Sequence, residues 1–381
     1  MKTFPVGYFN FNENNIFNFQ MNRWYSFGFI SYDEMIAAGK RIHNFEDWIK
    51  VFLDLADQAQ KNGNMLACAT YLRATQFFAL GDTRDENGEL LTISLYEKCM
   101  SAYELAYKNE AFEYVRIPYE TGYFPVIYKK HKNNSSGSVV IHGGYDSFIQ
   151  EFVPMLSYAY ERGFDVYLFE GSGQGEVLNR CGIKMTPDWE NCTSPVLDYF
   201  GLENVTLIGI SLGGYLAARA AAFELRIKRV VLYDIIYDFY ASFMSKSTSL
   251  SRIFIDLLLK HEKCFLWSII EKKANQNYFA RWLLEHGCHV FGVQNLPQYL
   301  NHIKAYNTRD LSSKIRQDVL LLAGSEDIYT VFFDQQKQAL TSAKSVEGRI
   351  FTAEENASHH CQVGNIGLVL DYIFSWIERQ P

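Results

Sequence analysis

The sequence contains no apolar run long enough to cross a bilayer. Its first residues, MKTFPVGYFNFNENN, include neither an apolar segment nor a small-residue cleavage site, so no signal peptide is expected. There is no basic stripe, and the formal net charge is −7, which argues against binding nucleic acid or an anionic membrane by bulk electrostatics. We therefore expect a soluble, cytoplasmic protein with no membrane or nucleic-acid partner.

The number and spacing of the cysteines give no indication of disulfide bonds. The seven cysteines are odd in number, widely spaced and without a C-x-x-C pair, which favours reduced thiols. Aromatic residues, in contrast, are abundant: they make up 16% of the chain, with 29 Phe and 25 Tyr. Most of them are expected to fill a core, and the sharper alternative is that some line a pocket for a flat ligand.

The first 110 residues have apolar positions at helical spacing and no strand-like alternation. Their three clearest helices are predicted at residues 45–60, 64–80 and 90–108. At 381 residues the chain is long enough for more than one compact unit. We therefore predict a helical N-terminal cap at residues 1–110 and a catalytic domain at residues 111–381.

The pattern changes near residue 112. Two alternating segments, 113–118 and 123–128, predict a hairpin. Short apolar runs then alternate with helical segments, at residues 138–142, 166–170, 205–210, 229–233 and 319–323. This order predicts an α/β fold with a mostly parallel, doubly covered sheet. A helical segment at about residues 234–308 interrupts the order, and we interpret it as a helical lid insertion.

The strongest chemical signal is the segment 209–214, which reads GISLGG and fits the pattern G-x-S-x-G. It follows a predicted strand and precedes an Ala-rich helix, which is the context that a nucleophilic serine on a tight strand-to-helix turn needs. The adjacent helix N-terminus favours developing negative charge. We therefore predict that Ser211 is a nucleophile rather than a passive residue of a glycine-rich turn.

A second segment, 139–147, reads VVIHGGYDS and runs from a strand into an H-G-G turn. In serine hydrolases with this kind of turn, such a loop supplies one backbone N–H to the oxyanion hole, and the residue after the nucleophile, here Leu212, supplies the other. Tyr145 is the favoured donor of the loop, with Gly144 as the alternative. His142 precedes Ser211 and is out of order for the base, so we interpret it as structural.

The acid and the base should follow the nucleophile in that order. Residues 321–327, LLAGSED, predict a strand ending in a Gly turn, after which Asp327 is the favoured acid and Glu326 the alternative. Only His359 and His360 follow this acid in the chain. A histidine suits the role because it accepts and returns a proton near neutral pH. Spacing alone leaves the choice between the two histidines open.

Two other patterns are weaker. The loop 171–175, GSGQG, resembles a dinucleotide-binding turn, but its strand does not begin a βαβ unit, so no nucleotide site is expected. His286, Cys288 and His289 lack a second ligand pair at a suitable spacing, and packing in a lid helix explains them better than a metal. We therefore expect neither a cofactor nor a metal.

Three further segments are similar to one family. Residues 169–175 (FEGSGQG) resemble its G-x-G-Q-G loop, residues 187–199 resemble its D-W-E…P-V-L-D-Y segment, and residues 360–362 (HCQ) resemble the H-C-Q around its catalytic base. From about 110 to 380 the chain thus resembles the α/β-hydrolases that include fermentation-respiration-switch-type esterases, 2,6-dihydroxypseudooxynicotine hydrolase and polyketide-shortening hydrolases. The resemblance favours His360 as the base, and the helical N-terminal region fits the family's cap.

Within that family the chain resembles the bacterial hydrolases that shorten polyketides in anthraquinone biosynthesis. One departure is the segment 233–238, YDIIYD, where relatives tend to have a small-residue turn. Members of the family that cleave C–C bonds can use an extra acid in this neighbourhood. The resemblance therefore makes Asp238 a possible auxiliary acid, with capping of the first lid helix as the alternative role.

The resemblance implies a serine hydrolase that cleaves a C–C bond of a β-dicarbonyl aromatic polyketide. The first alternative is a carboxylesterase acting through the same residues. The second is a binding protein that retains the fold without catalysis, whose expected mark is an incomplete set of catalytic residues. The expected partner is a small aromatic substrate, and a homodimer is possible.

Overall fold

The computed structural model describes residues 3–81 and 83–380. The chain forms two compact units. One comprises residues 3–111 with 363–367, and the other comprises residues 112–362 with 368–380.

The first unit is helical. Asn44 begins its third helix by accepting a hydrogen bond from the N–H of Asp47 (2.7 Å), and the buried Trp48 of the same helix donates from Nε1 to the carbonyl oxygen of Ala74 (2.7 Å). A side-chain cap and a buried aromatic face thus stabilise this helix. The helices of the unit are α1 (Asn15–Ser26), α2 (Tyr32–Gly39), α3 (Phe45–Lys61), α4 (Met65–Phe77) and α5 (Leu91–Tyr107).

An eight-stranded sheet is the centre of the second unit in the described part of the chain. All five predicted parallel strands occur in it, with ends that differ from the predicted ones by no more than two residues. The strands are β1 (Glu113–Tyr119), β2 (Gly122–Lys129), β3 (Ser138–His142), β4 (Asp165–Phe169), β5 (Val205–Ile210), β6 (Ile227–Tyr233), β7 (Asp318–Gly324) and β8 (Ser345–Phe351).

The order of the strands across the sheet is β1-β2-β4-β3-β5-β6-β7-β8. β1 and β2 form an antiparallel hairpin, β2 pairs antiparallel with β4, and the pairs from β4 to β8 are all parallel. β5 and β7 are buried along their whole length, as expected for central parallel strands covered on both faces. The parallel strands therefore bring their carboxyl ends to one edge, where ligands bind in open α/β sheets.

The helices of this unit connect the strands. They are α6 (Val153–Glu161), α7 (Gly175–Asn179), α8 (Glu190–Phe200), α9 (Gly213–Phe223), α10 (Phe239–Phe243), α11 (Ser249–Leu258), α12 (Leu266–Ala274), α13 (Tyr278–Phe291), α14 (Leu296–Ile303) and α15 (Phe333–Ala339). After β8 the chain ends in α16 (Ile366–Arg379), of which residues 368–379 belong to this unit. Helices α10 to α14 lie in the insertion between β6 and β7. No described helix is both long and apolar enough to cross a membrane.

The two ends of the insertion are joined to each other. Asp238 and Asn307 form an isolated antiparallel bridge. Beside it, the N–H of Phe239 donates to the carbonyl oxygen of Tyr306 (2.9 Å), and the N–H of Thr308 donates to that of Tyr237 (2.8 Å). The insertion therefore leaves and re-enters the sheet domain through a narrow hydrogen-bonded neck, residues 237–239 and 306–308.

Candidate active site

Ser211 lies on a sharp turn between β5 and α9. Its backbone is left-handed, with φ of +65°, and its N–H donates to the carbonyl oxygen of Tyr233 (2.5 Å). The turn is so close to its surroundings that a Cβ on Gly209 would lie 1.9 Å from the carbonyl oxygen of Gly213, and one on Gly214 would lie 1.7 Å from that of Asp234. Positions 209 and 214 are glycine because a side chain at either would clash with the backbone.

A hydrogen-bonded chain connects Ser211 to the two other residues predicted to act with it. Ser211 Oγ lies 2.8 Å from His360 Nε2, and His360 Nδ1 lies 2.5 Å from Asp327 Oδ2. Asp327 follows β7, and His360 follows β8 in a short helical turn. With the proton on Nδ1, His360 donates to the carboxylate and presents a lone pair to the serine hydroxyl, which is the arrangement that a general base needs.

The structure also separates the two histidines. His359 Nδ1 lies 3.5 Å from Glu326 Oε2. The alternative base and the alternative acid therefore face each other. Burial lowers the pKa of His359. The hydrogen-bonded chain to Ser211 runs through His360 and Asp327.

Asp234 is a residue of the site that the sequence reasoning missed. One of its carboxylate oxygens lies 3.2 Å from His360 Nδ1 and accepts the N–H of Cys361 (2.6 Å), and the other accepts Gln362 Nε2 (2.6 Å). Asp234 is fully buried. A sequence signal existed, because Asp234 directly follows β6, as Ser211 directly follows β5, and parallel strands end at one edge of the sheet.

Asp238, the predicted auxiliary acid, has a different place. It caps the N-terminus of α10 by accepting the N–H of Ala241 (2.7 Å), and it forms an ion pair with Arg309 (2.5 Å). The second acid that the structure brings to His360, beside Asp327, is therefore Asp234 and not Asp238. Of the two roles considered for Asp238, the structure shows the capping role, because its carboxylate satisfies the helix end.

The electrostatics of the cluster follow from burial and charge. Burial by itself lowers the pKa of His360, but the negative charge of Asp327 and the hydrogen bonds to Asp234 and Asp327 outweigh it, so the pKa lies well above its ordinary value. Burial raises the pKa of Asp234 to about 6, against the hydrogen bond from His360. Burial also acts to raise the pKa of Asp327, but the charge and hydrogen bond of His360, together with the hydrogen bonds to Asp234 and to the N–H of Tyr329, outweigh it, and the pKa is lowered.

The H-G-G turn lies beside the serine turn. A Cβ on Gly144 would lie 2.6 Å from the backbone nitrogen of Leu212, so the loop and the helix N-terminus meet. The N–H of Gly144 donates to Ser147 Oγ (3.0 Å), whereas within residues 3–81 and 83–380 no protein acceptor is recorded for the N–H groups of Tyr145 and Leu212. The geometry therefore favours Tyr145 over Gly144 as the donor of the loop.

His142 is structural, as expected. It is fully buried, its Nδ1 lies 2.8 Å from the carbonyl oxygen of Gly143, and its ring packs against Trp189. Burial lowers its pKa to about 4, so the ring is neutral at ordinary pH.

The glycine-rich loop at residues 171–175 braces the H-G-G turn. Gln174 Nε2 donates to the carbonyl oxygens of Gly143 (2.8 Å) and Gly144 (3.0 Å). Glu170, at the start of the loop, accepts the N–H groups of Ile149 (2.9 Å) and Glu176 (2.6 Å), and burial raises its pKa to about 8. These contacts give the loop a structural explanation that involves no nucleotide.

One group of potential metal ligands occurs in the described ranges, formed by Asp234, His360 and Cys361. Both ring nitrogens of His360 already have protein partners in Ser211 and Asp327. An ion would have to break the hydrogen-bonded chain, so the donors fit proton transfer better than metal binding.

A family model described as the alpha/beta hydrolase fold matches residues 139–345, more than half of the chain. The chain therefore belongs to the α/β-hydrolase family, and the family resemblance of the motifs is confirmed.

The relatives span most of the chain. Hydrolase acrC of Aspergillus aculeatus is 26% identical over 380 residues, covering 86% of this chain and 84% of that protein. The 20-hydroxy-prefusarin hydrolase of Gibberella moniliformis is 24% identical over 378 residues, covering 87% of each.

Solved structures share the fold at lower identity. The structure of 2,6-dihydroxy-pseudo-oxynicotine hydrolase has a TM-score of 0.63 at 20% identity, over 92% of this chain and 93% of that one. Wild-type AbyA5 has a TM-score of 0.66 at 14% identity, over 91% and 89%. At these identities the likeness concerns the fold alone.

The backbone of Ser211 generates a prediction about stability. S211G and S211A both lose the hydroxyl, but only alanine keeps a Cβ at positive φ. We expect S211G to be the more stable variant by about 1 kcal/mol, the reverse of the usual order of alanine and glycine. Urea unfolding of the two variants measures the difference. A more stable S211A would mean that the turn is not left-handed in solution.

The second carboxylate generates a prediction about the histidine. In D234N the amide keeps a hydrogen-bonding oxygen but loses the charge that favours the imidazolium, so the pKa of His360 should fall. An NMR titration of histidine-labelled protein measures the change. D238N is the matched control and should leave the pKa of His360 unchanged. A pKa that stays or rises in D234N would contradict the assigned contact.

Proposed function

We propose that this α/β-hydrolase uses Ser211, His360 and Asp327 as a catalytic triad to cleave a C–C bond of a β-dicarbonyl aromatic polyketide. The observation that carries the proposal is the hydrogen-bonded chain of these three side chains, with distances of 2.8 and 2.5 Å. Each residue follows its own strand of the sheet, and the nucleophile lies on a strained turn next to a helix N-terminus. Such geometry supports acyl transfer through a covalent intermediate.

In the first step Ser211 Oγ forms a bond to a ketone carbon of the substrate, and His360 Nε2 takes the hydroxyl proton. The carbonyl oxygen becomes an oxyanion. The N–H groups of Leu212 and Tyr145 are proposed to donate to it, because neither is recorded as donating to a protein acceptor in the described ranges. Loss of one such donor typically costs about 10²–10³ in turnover.

In the second step the tetrahedral adduct collapses and the C–C bond breaks. The electron pair of that bond goes to the carbon between the two carbonyl groups, where the remaining carbonyl stabilises it as an enolate. The imidazolium of His360 donates its proton to this carbon. In the third step His360 takes a proton from water, the hydroxide adds to the acyl carbon, and Ser211 leaves with the returned proton.

Asp327 and Asp234 are proposed to divide the stabilisation of His360. Asp327 makes the short contact to Nδ1 and orients the ring. Asp234, at 3.2 Å, adds a second negative charge that favours the imidazolium while the enolate awaits its proton. Asp234 is thus proposed for the auxiliary role that the family resemblance had suggested for Asp238.

The proposed substrate class rests on an aromatic ring beside the base and on the relatives. The ring of Tyr329, which is half-buried, lies 5.4 Å from that of His360. An aromatic side chain at this position suits a flat, aromatic ligand. A relative at 24% identity is named for the hydrolysis of 20-hydroxy-prefusarin. Within this class we propose chain shortening of the kind found in bacterial anthraquinone biosynthesis.

The same residues would hydrolyse an ester, with an alcohol in place of the enolate as leaving group. A carboxylesterase is therefore the second outcome of the substrate test below.

All seven cysteines are free thiols, which supports the expectation that the enzyme acts in the cytoplasm.

The triad generates a prediction with a matched pair of histidine variants. S211A and H360A should each lower kcat/KM by a factor on the order of 10⁶, and the double variant should lose no more than either single one, because the two side chains act as a unit. H359A is the control and should stay close to wild type. Steady-state kinetics with p-nitrophenyl acetate measures all four proteins. A larger loss in H359A than in H360A would move the base.

The substrate class is tested by incubating the protein with an octaketide β-dicarbonyl and analysing the products by mass spectrometry. We expect a shortened polyketide and a carboxylic acid that together contain one added water, and neither product with S211A. Fast turnover of p-nitrophenyl esters with no change to the octaketide would instead indicate a carboxylesterase. A wild-type protein that turns over neither compound and does not react with a fluorophosphonate would indicate a binding protein.

A further inference from the structure

One helix of the insertion holds the loop residue Tyr145. Tyr145 Oη donates to the carbonyl oxygen of Leu283 in α13 (2.8 Å), and the carbonyl oxygen of Tyr145 lies 3.1 Å from His286 Nε2 in the same helix. The side chain and the main chain of Tyr145 are therefore both bound to α13. The second contact requires the proton of a neutral His286 ring to be on Nε2.

The packing around these bonds is close. Tyr145 is 5% exposed, and its ring meets those of His286 and Trp282 edge to face, with centroids 4.9 and 5.9 Å apart. The rings of Trp282 and His286 stack on each other (5.3 Å, 8°). A Cβ on Gly287 would lie 2.3 Å from Tyr145 Oη. Residues 282, 283, 286 and 287 therefore form one face of α13 that is shaped to receive this tyrosine.

A residue of the sheet domain, Gln174, contacts the peptide group that precedes Tyr145. Gln174 Nε2 donates to the carbonyl oxygen of Gly144 (3.0 Å), which belongs to the peptide group that carries the N–H of Tyr145. In a trans peptide the C=O and N–H bonds point in opposite directions, so a bond that fixes the oxygen also fixes the direction of the N–H. Gln174 is buried, and its second contact, to the carbonyl oxygen of Gly143 (2.8 Å), holds its amide in place.

We propose that Gln174 and His286 are positioning residues that together aim the N–H of Tyr145 at the oxyanion, Gln174 from the sheet domain and His286 from the insertion. Gln174 orients the peptide group before Tyr145, and His286 orients the peptide group after it. The insertion is then part of the catalytic apparatus as well as a cover, because moving α13 turns the donor away. This inference rests on the proposed hydrolase function.

The test compares variants that keep packing but remove a donor. H286F retains a ring to stack on Trp282 but cannot donate to Tyr145, and Q174M retains length and burial but has no amide. With p-nitrophenyl acetate we expect each to lower kcat about tenfold to 100-fold, with KM within about twofold of wild type, because the donor acts on the transition state. The rate of phosphonylation by a fluorophosphonate should fall in parallel. H286Q, which restores an N–H donor, should recover most of the loss.

H289F is the matched control, because His289 lies on the same helix one turn further on and, in the described part of the chain, makes no hydrogen bond to Tyr145. Thermal unfolding of every variant accompanies the kinetics. Folded H286F and Q174M proteins with wild-type kcat would overturn the inference, and so would an equal loss in H289F or no recovery in H286Q. A wild-type protein that is inert to both probes would instead overturn the proposed function, and this inference with it.

Discussion

The site depends on the close contact between the serine turn and the end of β6. The N–H of Ser211 is bonded to the carbonyl oxygen of Tyr233, and Gly214 leaves no space for a side chain against Asp234. The same end of β6 reaches the histidine loop, since Tyr233 Oη donates to the carbonyl oxygen of Cys361 (3.0 Å) and Asp234 accepts its N–H. One strand end therefore sets the distance between the serine and the histidine.

A buried carboxylate at this strand end is surrounded by hydrogen-bond donors. Asp234 is fully buried, and such a carboxylate is costly unless donors surround it. The N–H of Cys361, the side-chain amide of Gln362 and the ring of His360 supply those donors. The histidine loop therefore folds around a buried carboxylate, and the left-handed backbone of Cys361 and Gln362 is the conformation that brings both groups to it.

Much of this could be predicted from the sequence. The parallel strands were visible as short apolar runs, and Ser211, Asp327 and the histidine pair followed from a turn motif and from chain order. Spacing could not separate His359 from His360, because adjacent residues differ only in the direction of their side chains. Here a left-handed turn directly after His360 sets that direction.

Asp234 and the donor in the H-G-G turn show a different limit. Two acids four residues apart, Asp234 and Asp238, both fit a strand end followed by a helix, and only the folded chain shows that Asp238 caps α10. Likewise, the sequence favoured Tyr145 over Gly144 without excluding Gly144, and only the folded chain shows that Ser147 accepts the N–H of Gly144. Both ambiguities concern the hydrogen-bond partner of a polar group, which is set by the folded structure and cannot be read from the sequence.

The neck at residues 237–239 and 306–308 has a consequence for how such enzymes diversify. The two segments of the neck are hydrogen-bonded to each other. The sheet domain is therefore connected to the insertion at two fixed, adjacent points. Segments of different length or composition could be exchanged between these points without changing the register of β6 or β7. If α13 positions Tyr145 as proposed, any exchanged segment must also present a surface that receives Tyr145. The topology thus allows the insertion to be exchanged at the neck, and the contact with Tyr145 limits which segments would preserve the site.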